Sequence, residues 1–168
     1  FGLSTIQAQE CELPLQFTGN TGANMTVMLT PDLIASLPIP VANAYIVAFA
    51  DTLVVGSSNI FGVSQTSLAI WGDDSSTDPE IEGALANESI SFQFVNGNDL
   101  YDLVMPIPVI YSGNGLSVLS SAVTSSDLVC SVPELGCTDA TANNYDADAN
   151  VDDASCTYDS SSGTAIEY

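Results

Sequence analysis

No lysine, arginine or histidine occurs anywhere in the chain, while 21 aspartates and glutamates set a formal charge of −21. That absence excludes whole classes of function. Nucleic acids and anionic membrane surfaces bind through Lys or Arg that displace counterions, so neither is an expected partner. A Ser-His-Asp or Cys-His centre cannot be built without histidine. The phosphate-cradling motif G-x-x-x-x-G-K-[ST] is missing too. Side chains alone can form no salt bridge. Cohesion must come from apolar burial, backbone hydrogen bonds, disulfides and divalent cations. Long apolar runs are also lacking, and no stretch of about 20 residues suits a membrane span. No long segment repeats with the 3.6-residue period of a helix.

What is present points to a folded protein. The chain has 168 residues, 46% of them hydrophobic, enough for one ordinary domain with a core plus a small module. Disordered acidic tails lack such apolar content. Four cysteines, Cys11, Cys130, Cys137 and Cys156, occur without a CxxC pair. An even count of this kind suggests two disulfides and an oxidising, extracellular or cell-surface setting. Three pairings are open. The simplest nests by module, Cys11 with Cys130 and Cys137 with Cys156.

Residues 11–130 read as successive strands. "NMTVMLT" (24–30) alternates, with Met25, Val27 and Leu29 on one face. "AYIVAFA" (44–50) and "TLVVGSS" (52–58) are nearly continuous β-formers split at Asp51. "SLAIW" (67–71) precedes an acidic loop, and "SISFQFV" (89–95) puts Ile90, Phe92 and Phe94 on one face. "NGN" (96–98) then predicts a hairpin into "LYDLVM" (100–105). "GLSVLSSAV" (115–123) supplies a last strand. "TPDLIASLPIP" (30–40) has room for one helical turn between its prolines. Short strands with Gly, Asn and Pro between them predict an all-β, antiparallel β-sandwich, Ig-like or jelly-roll-like. A linker at 131–135, a Cys/Asp-rich module at 136–158 and a Ser/Gly-rich tail at 159–168 follow.

The first ten residues, "FGLSTIQAQE", support two readings. They resemble the end of a secretory signal peptide cleaved near Gln9. Alternatively, Phe1, Leu3 and Ile6 are the anchors of a strand donated to a neighbouring copy.

In the module, Asp146, Asp148, Asn150 and Asp152 recur at every second position, with Asp139, Asn144 and Asp153 nearby. Alternating Asp and Asn on a curled loop suit Ca²⁺, which takes six to eight oxygens. The EF-hand pattern stops short, because Val151 stands at the glycine position and Thr157 at that of the bidentate Glu. A solvated, disulfide-closed acidic loop is the competing reading. The stretch "WGDDSSTDPEIEG" (71–83) carries Asp73, Asp74, Asp78, Glu80 and Glu82. A paired-carboxylate hydrolase using Asp74 and Glu80 would need a raised pKa, for which an exposed loop offers little burial. A second cation site or a plain solvated loop is the competing reading of these carboxylates, and Trp71 with Asp73 and Asp74 is a candidate glycan-binding surface, set against the alternative of a core tryptophan. Candidate modification sites are the sequons at Asn24 and Asn87 and the "DTL" triplet at Thr52, which resembles a bacterial O-glycosylation acceptor.

The stretch "GCTDATANNYDADANVDDASCTY" resembles the GCTD…NY…A…DDGSC-Y modules of secreted, often multidomain proteins from surface-colonising Gram-negative bacteria. Asn143 replaces a frequent third cysteine and Ala154 the usual glycine. The missing cysteine is consistent with a Cys137–Cys156 pair, since no odd thiol remains. "FTGNTGANMTVML", "YIVAFADTLVVG", "LAIWGDD" and "ESISFQF", covering most of 13–123, resemble a repeated extracellular domain of the same proteins. The resemblance implies a β-sandwich on large adhesins and cell-surface proteins, and carries over no catalytic residue. The expected function is a secreted, non-enzymatic structural subunit of a filament or surface assembly, with copies of itself as partners. A carbohydrate- or surface-binding adhesin domain is the alternative.

Overall fold

The computed structural model describes residues 11–77 and 79–159. It divides into two compact units, ending at Ser131 and beginning at Val132.

The first unit is a β-sandwich. One sheet has three strands in the order β4-β1-β8, where β1 is Asn24–Leu29, β4 Thr66–Trp71 and β8 Leu116–Leu119. The other runs β3-β2-β5-β6-β9. Its members are β2 (Tyr45–Ala50), β3 (Leu53–Asn59), β5 (Ser89–Asn96), β6 (Asp99–Val104) and β9 (Ser125–Ser131). A short β7, Val109–Ile110, also pairs with β5. Met105-Pro-Ile-Pro108 separates it from β6, because proline cannot donate to the ladder. Neighbours in these sheets are antiparallel except β1 and β8, which run parallel.

The turns follow from the residues in them. Asp51 (φ 51°) and Thr52 close the β2–β3 hairpin, and Gly97 (φ 65°) with Asn98 closes β5–β6. Both two-residue loops open on a left-handed residue, which Asp and Gly accept more readily than most. The helical turn expected after Thr30 is α1, Pro31–Ser36, with Pro at its start. The strand expected at 115–123 is confined to β8, and the last strand of the sandwich is β9.

Alternation fixes the core. Val27 and Leu29 of β1, Leu68 and Ile70 of β4, Ile46 and Ala48 of β2, Phe92 and Phe94 of β5, and Leu33 of α1 are buried together. Each large side chain contributes about 1.5–3 kcal/mol on leaving water. Phe94 stacks on its cross-strand partner Tyr101 with ring centroids 5.8 Å apart. No polar or charged residue among those described is buried as a whole, although one oxygen of Glu82, Oε2, is shut away from solvent without a hydrogen-bond partner.

The opposite face of the larger sheet is also partly buried. Val47, Val95 and Leu100 are buried there, outside the core cluster, on the face opposite Ile46, Phe94 and Tyr101. Segment 11–17 is pinned across that sheet. Cys11 is bonded to Cys130 on β9, the Tyr45 hydroxyl of β2 donates to the Pro14 carbonyl (2.7 Å), and the Phe17 N–H donates to Ser57 Oγ of β3 (2.9 Å). Leu13, Pro14 and Phe17 are themselves half-buried. This strap gives the sheet a partial second cover.

The second unit is small and held by its backbone. Strands β10 (Leu135–Gly136) and β11 (Val151–Asp152) pair in parallel, and Cys137 is bonded to Cys156. Both disulfides are those of the nested pairing, and no described cysteine is free.

Candidate assembly surface

Two of the four sheet edges are closed against each other. Gly56 of β3 lies so near Ala69 of β4 that a Cβ there would collide with the Ala69 carbonyl, and Ser58 Oγ meets Thr66 Oγ1 at 3.2 Å. The other two, β8 and β9, have a strand partner on one side only among the described residues.

The β8 edge has none of the devices that usually blunt an exposed strand, which are charge, proline or a bulge. The Thr26 N–H donates to the Gly115 carbonyl and the Thr30 N–H to that of Leu119. Residues 115, 117 and 119 therefore turn their backbone groups toward β1, and those of Leu116 and Val118 point away from it. The Leu116 side chain is 66% exposed, that of Val118 49% and that of Met28, its neighbour in register, 39%. Trp71, half-buried at the end of β4, shares this outer face. It lies outside the core cluster. Edge β9 is less even. It has a register shift opposite Leu100/Tyr101, an acidic residue in Asp127 and a disulfide at Cys130. Phe1, Leu3 and Ile6 lie outside the described residues.

The acidic loop after Trp71 uses its carboxylates to build itself. Asp73 Oδ1 accepts the Glu82 N–H (3.1 Å), Asp74 Oδ1 the Ser76 N–H (3.0 Å) and Glu82 Oε1 the Thr77 hydroxyl (2.6 Å). Hydrogen bonds from Ser76 hold the Asp74 carboxyl below its ordinary pKa, the opposite of what a catalytic acid needs. Asp78 lies outside the described residues. Two cavities in the sandwich, of about 500 and 270 Å³, are lined by other residues than Trp71, Asp73 and Asp74.

In the module, the residues expected to hold Ca²⁺ are mostly turned onto neighbouring backbone. Asp139, Asp146, Asp152 and Asp153 each accept, through one oxygen, the N–H two residues on, at 2.8–3.0 Å. Asn144 Oδ1 accepts from the Thr157 N–H and hydroxyl, and its Nδ2 donates to the Ser155 carbonyl. Asn150 bridges the Glu134 N–H and the Val132 carbonyl. Asp148 supplies its N–H to Asp146. Among the described residues no three acidic or cysteine groups stand together to hold a metal ion. The Asp/Asn pattern thus makes successive side-chain-to-backbone turns, the local competition that short polar side chains favour.

Of the modification candidates, Thr52 sits exposed at the β2–β3 hairpin tip and Asn87 exposed in a turn with φ 67°, while Asn24 is half-buried in β1. The sequence reading missed the strap residues Pro14 and Phe17 and the outward residues Phe49, Gln93 and Asp102. One signal was available, since "AYIVAFA" is apolar on both of its alternating faces and implies cover on each.

No helix among the described residues is long and apolar enough to cross a membrane. The chain matches no protein-family model, no curated protein and no solved structure.

Proposed function

We propose that the chain is a secreted, non-enzymatic structural subunit that joins copies of itself at the β8 edge, forming an extracellular filament or surface assembly. The observation that carries this reading is an uncharged, apolar strand with outward backbone groups on a protein of charge −21. Copies so charged repel one another, so stable contact between them must be apolar and salt-screened. An added strand supplies main-chain hydrogen bonds, and alternating side chains supply fit. Residues 1–9, with Phe1, Leu3 and Ile6, are the donor in this reading. Two disulfides suit an oxidising exterior. A chain without Lys or Arg also gives trypsin-like proteases no cleavage site. Divalent cations act here by screening the acidic surface.

Negative-stain imaging and sedimentation of the full chain, with and without chelator, test the proposal. Filaments are expected from the full chain and none from a chain lacking residues 1–9. Val118→Glu should abolish them while leaving the monomer folded. Filaments formed without residues 1–9 would sink strand donation.

A further inference from the structure

We propose that the outer face of the larger sheet carries a binding groove for a neutral saccharide, built from Phe49, Thr52, Ser91, Gln93 and Asp102. The strap divides that face. Val47, Val95 and Leu100 are buried on it, whereas farther along the same strands it turns polar and stays open. A cavity of about 500 Å³ opens there, within the range of roughly 300–1,000 Å³ that small ligands occupy. Phe49 stands opposite Ser91, and Gln93 opposite Asp102, so ring, hydroxyl, amide and carboxylate occupy neighbouring positions on β2, β5 and β6.

The polar pair is already fixed. Gln93 Nε2 donates to Asp102 Oδ1 at 2.7 Å. That bond leaves the amide oxygen, the second amide hydrogen and Asp102 Oδ2 free to meet a ligand. Adjacent donors and acceptors are what two neighbouring sugar hydroxyls require, since each hydroxyl both gives and accepts. The half-buried Phe49 ring offers a flat apolar surface for the C–H face of a pyranose. Thr52, on the hairpin turn, and Ser91 add hydroxyls at the rim. These groups stand on strands and a two-residue turn, which hold them in place better than a long loop would.

Charge narrows the ligand. Asp51 and Asp102 line the groove, Asp127 sits opposite Asp102 in register, and the chain has no cationic side chain. Uronic acids and sulfated sugars would be repelled. The groove is on a different sheet from Trp71 and does not depend on strand addition at β8.

Saturation-transfer NMR and calorimetry on the full chain would test this, with glucose, galactose, mannose, N-acetylglucosamine and their β-linked disaccharides. Glucuronate and putrescine serve as charged controls. Saturable binding of at least one neutral sugar is expected, weakened at least tenfold by Phe49→Ala and by Gln93→Ala and unchanged by Trp71→Ala. The Gln93–Asp102 pair is exposed, so Gln93→Ala should keep the fold, checked by its circular dichroism. Absence of saturable binding by every neutral sugar, preference for putrescine, or indifference to Gln93→Ala would each overturn the proposal.

Discussion

Gly56 and Ala69 bring the backbones of β3 and β4 together where the two sheets meet, at a distance that admits no side chain on Gly56. Gly56→Ala should therefore push the sheets apart at this edge. A loss of about 1–3 kcal/mol, the usual range for overpacking, is expected from urea unfolding. Unchanged stability would mean the edge can relax freely.

The Cys11–Cys130 bond joins residues 119 apart in sequence. Restricting so long a loop in the unfolded chain is worth about 4–5 kcal/mol on the entropic model. A Cys11→Ser, Cys130→Ser double variant should lose most of that. It should also release the strap, so that a dye sensitive to apolar surface reports Val47, Val95 and Leu100 newly exposed.

Ala154 adopts φ 62°, a left-handed conformation that costs a residue with a Cβ about 1 kcal/mol. Glycine carries no such cost. Ala154→Gly should accordingly slow amide exchange across the module, most readably at Asp153, whose N–H donates to the Gly136 carbonyl. Faster exchange would show that the alanine methyl makes a contact worth more than the strain.

The Tyr158 hydroxyl donates to Asp139 Oδ2 at 2.6 Å. This bond, with help from Thr141, holds the Asp139 carboxyl below its ordinary pKa. The same bond raises the Tyr158 phenol above its own. The carboxylate's contribution is therefore complete above the unfolded Asp value and fades as pH falls through the lowered folded one. The phenol's is complete below the unfolded Tyr value and fades as pH rises through its raised one. Tyr158→Phe should move the Asp139 titration upward toward the ordinary value, as carbon-13 NMR of the carboxyl would show.

Strand positions were legible because inward residues such as Ile90, Phe92 and Phe94 alternate with polar ones, and because Asn96-Gly97 marks its own turn. The disulfides were legible from count and nesting. Strand β9 was missed because "SSDLVCS" has little inward apolar character, and its place is set by pairing with β6 and by Cys130. The strap was missed because the alternation of Cys11, Leu13, Leu15 and Phe17 is broken by Pro14 and pairs into no strand, so its position is dictated by the face it covers. In the acidic module the same alternating spacing that suggested converging oxygens also lets Asp146, Asp152 and Asp153 each turn one oxygen onto the N–H two residues on.

The strap's covalent anchor also sets a mechanical path. Tension entering ahead of Cys11 crosses the sulphur bridge to Cys130 and leaves through Ser131 toward Val132. The 118 residues between the two cysteines carry none of it. A pulled molecule would thus keep its sandwich folded until the bridge is reduced, and force spectroscopy with and without reductant should show the extra extension of that hidden length.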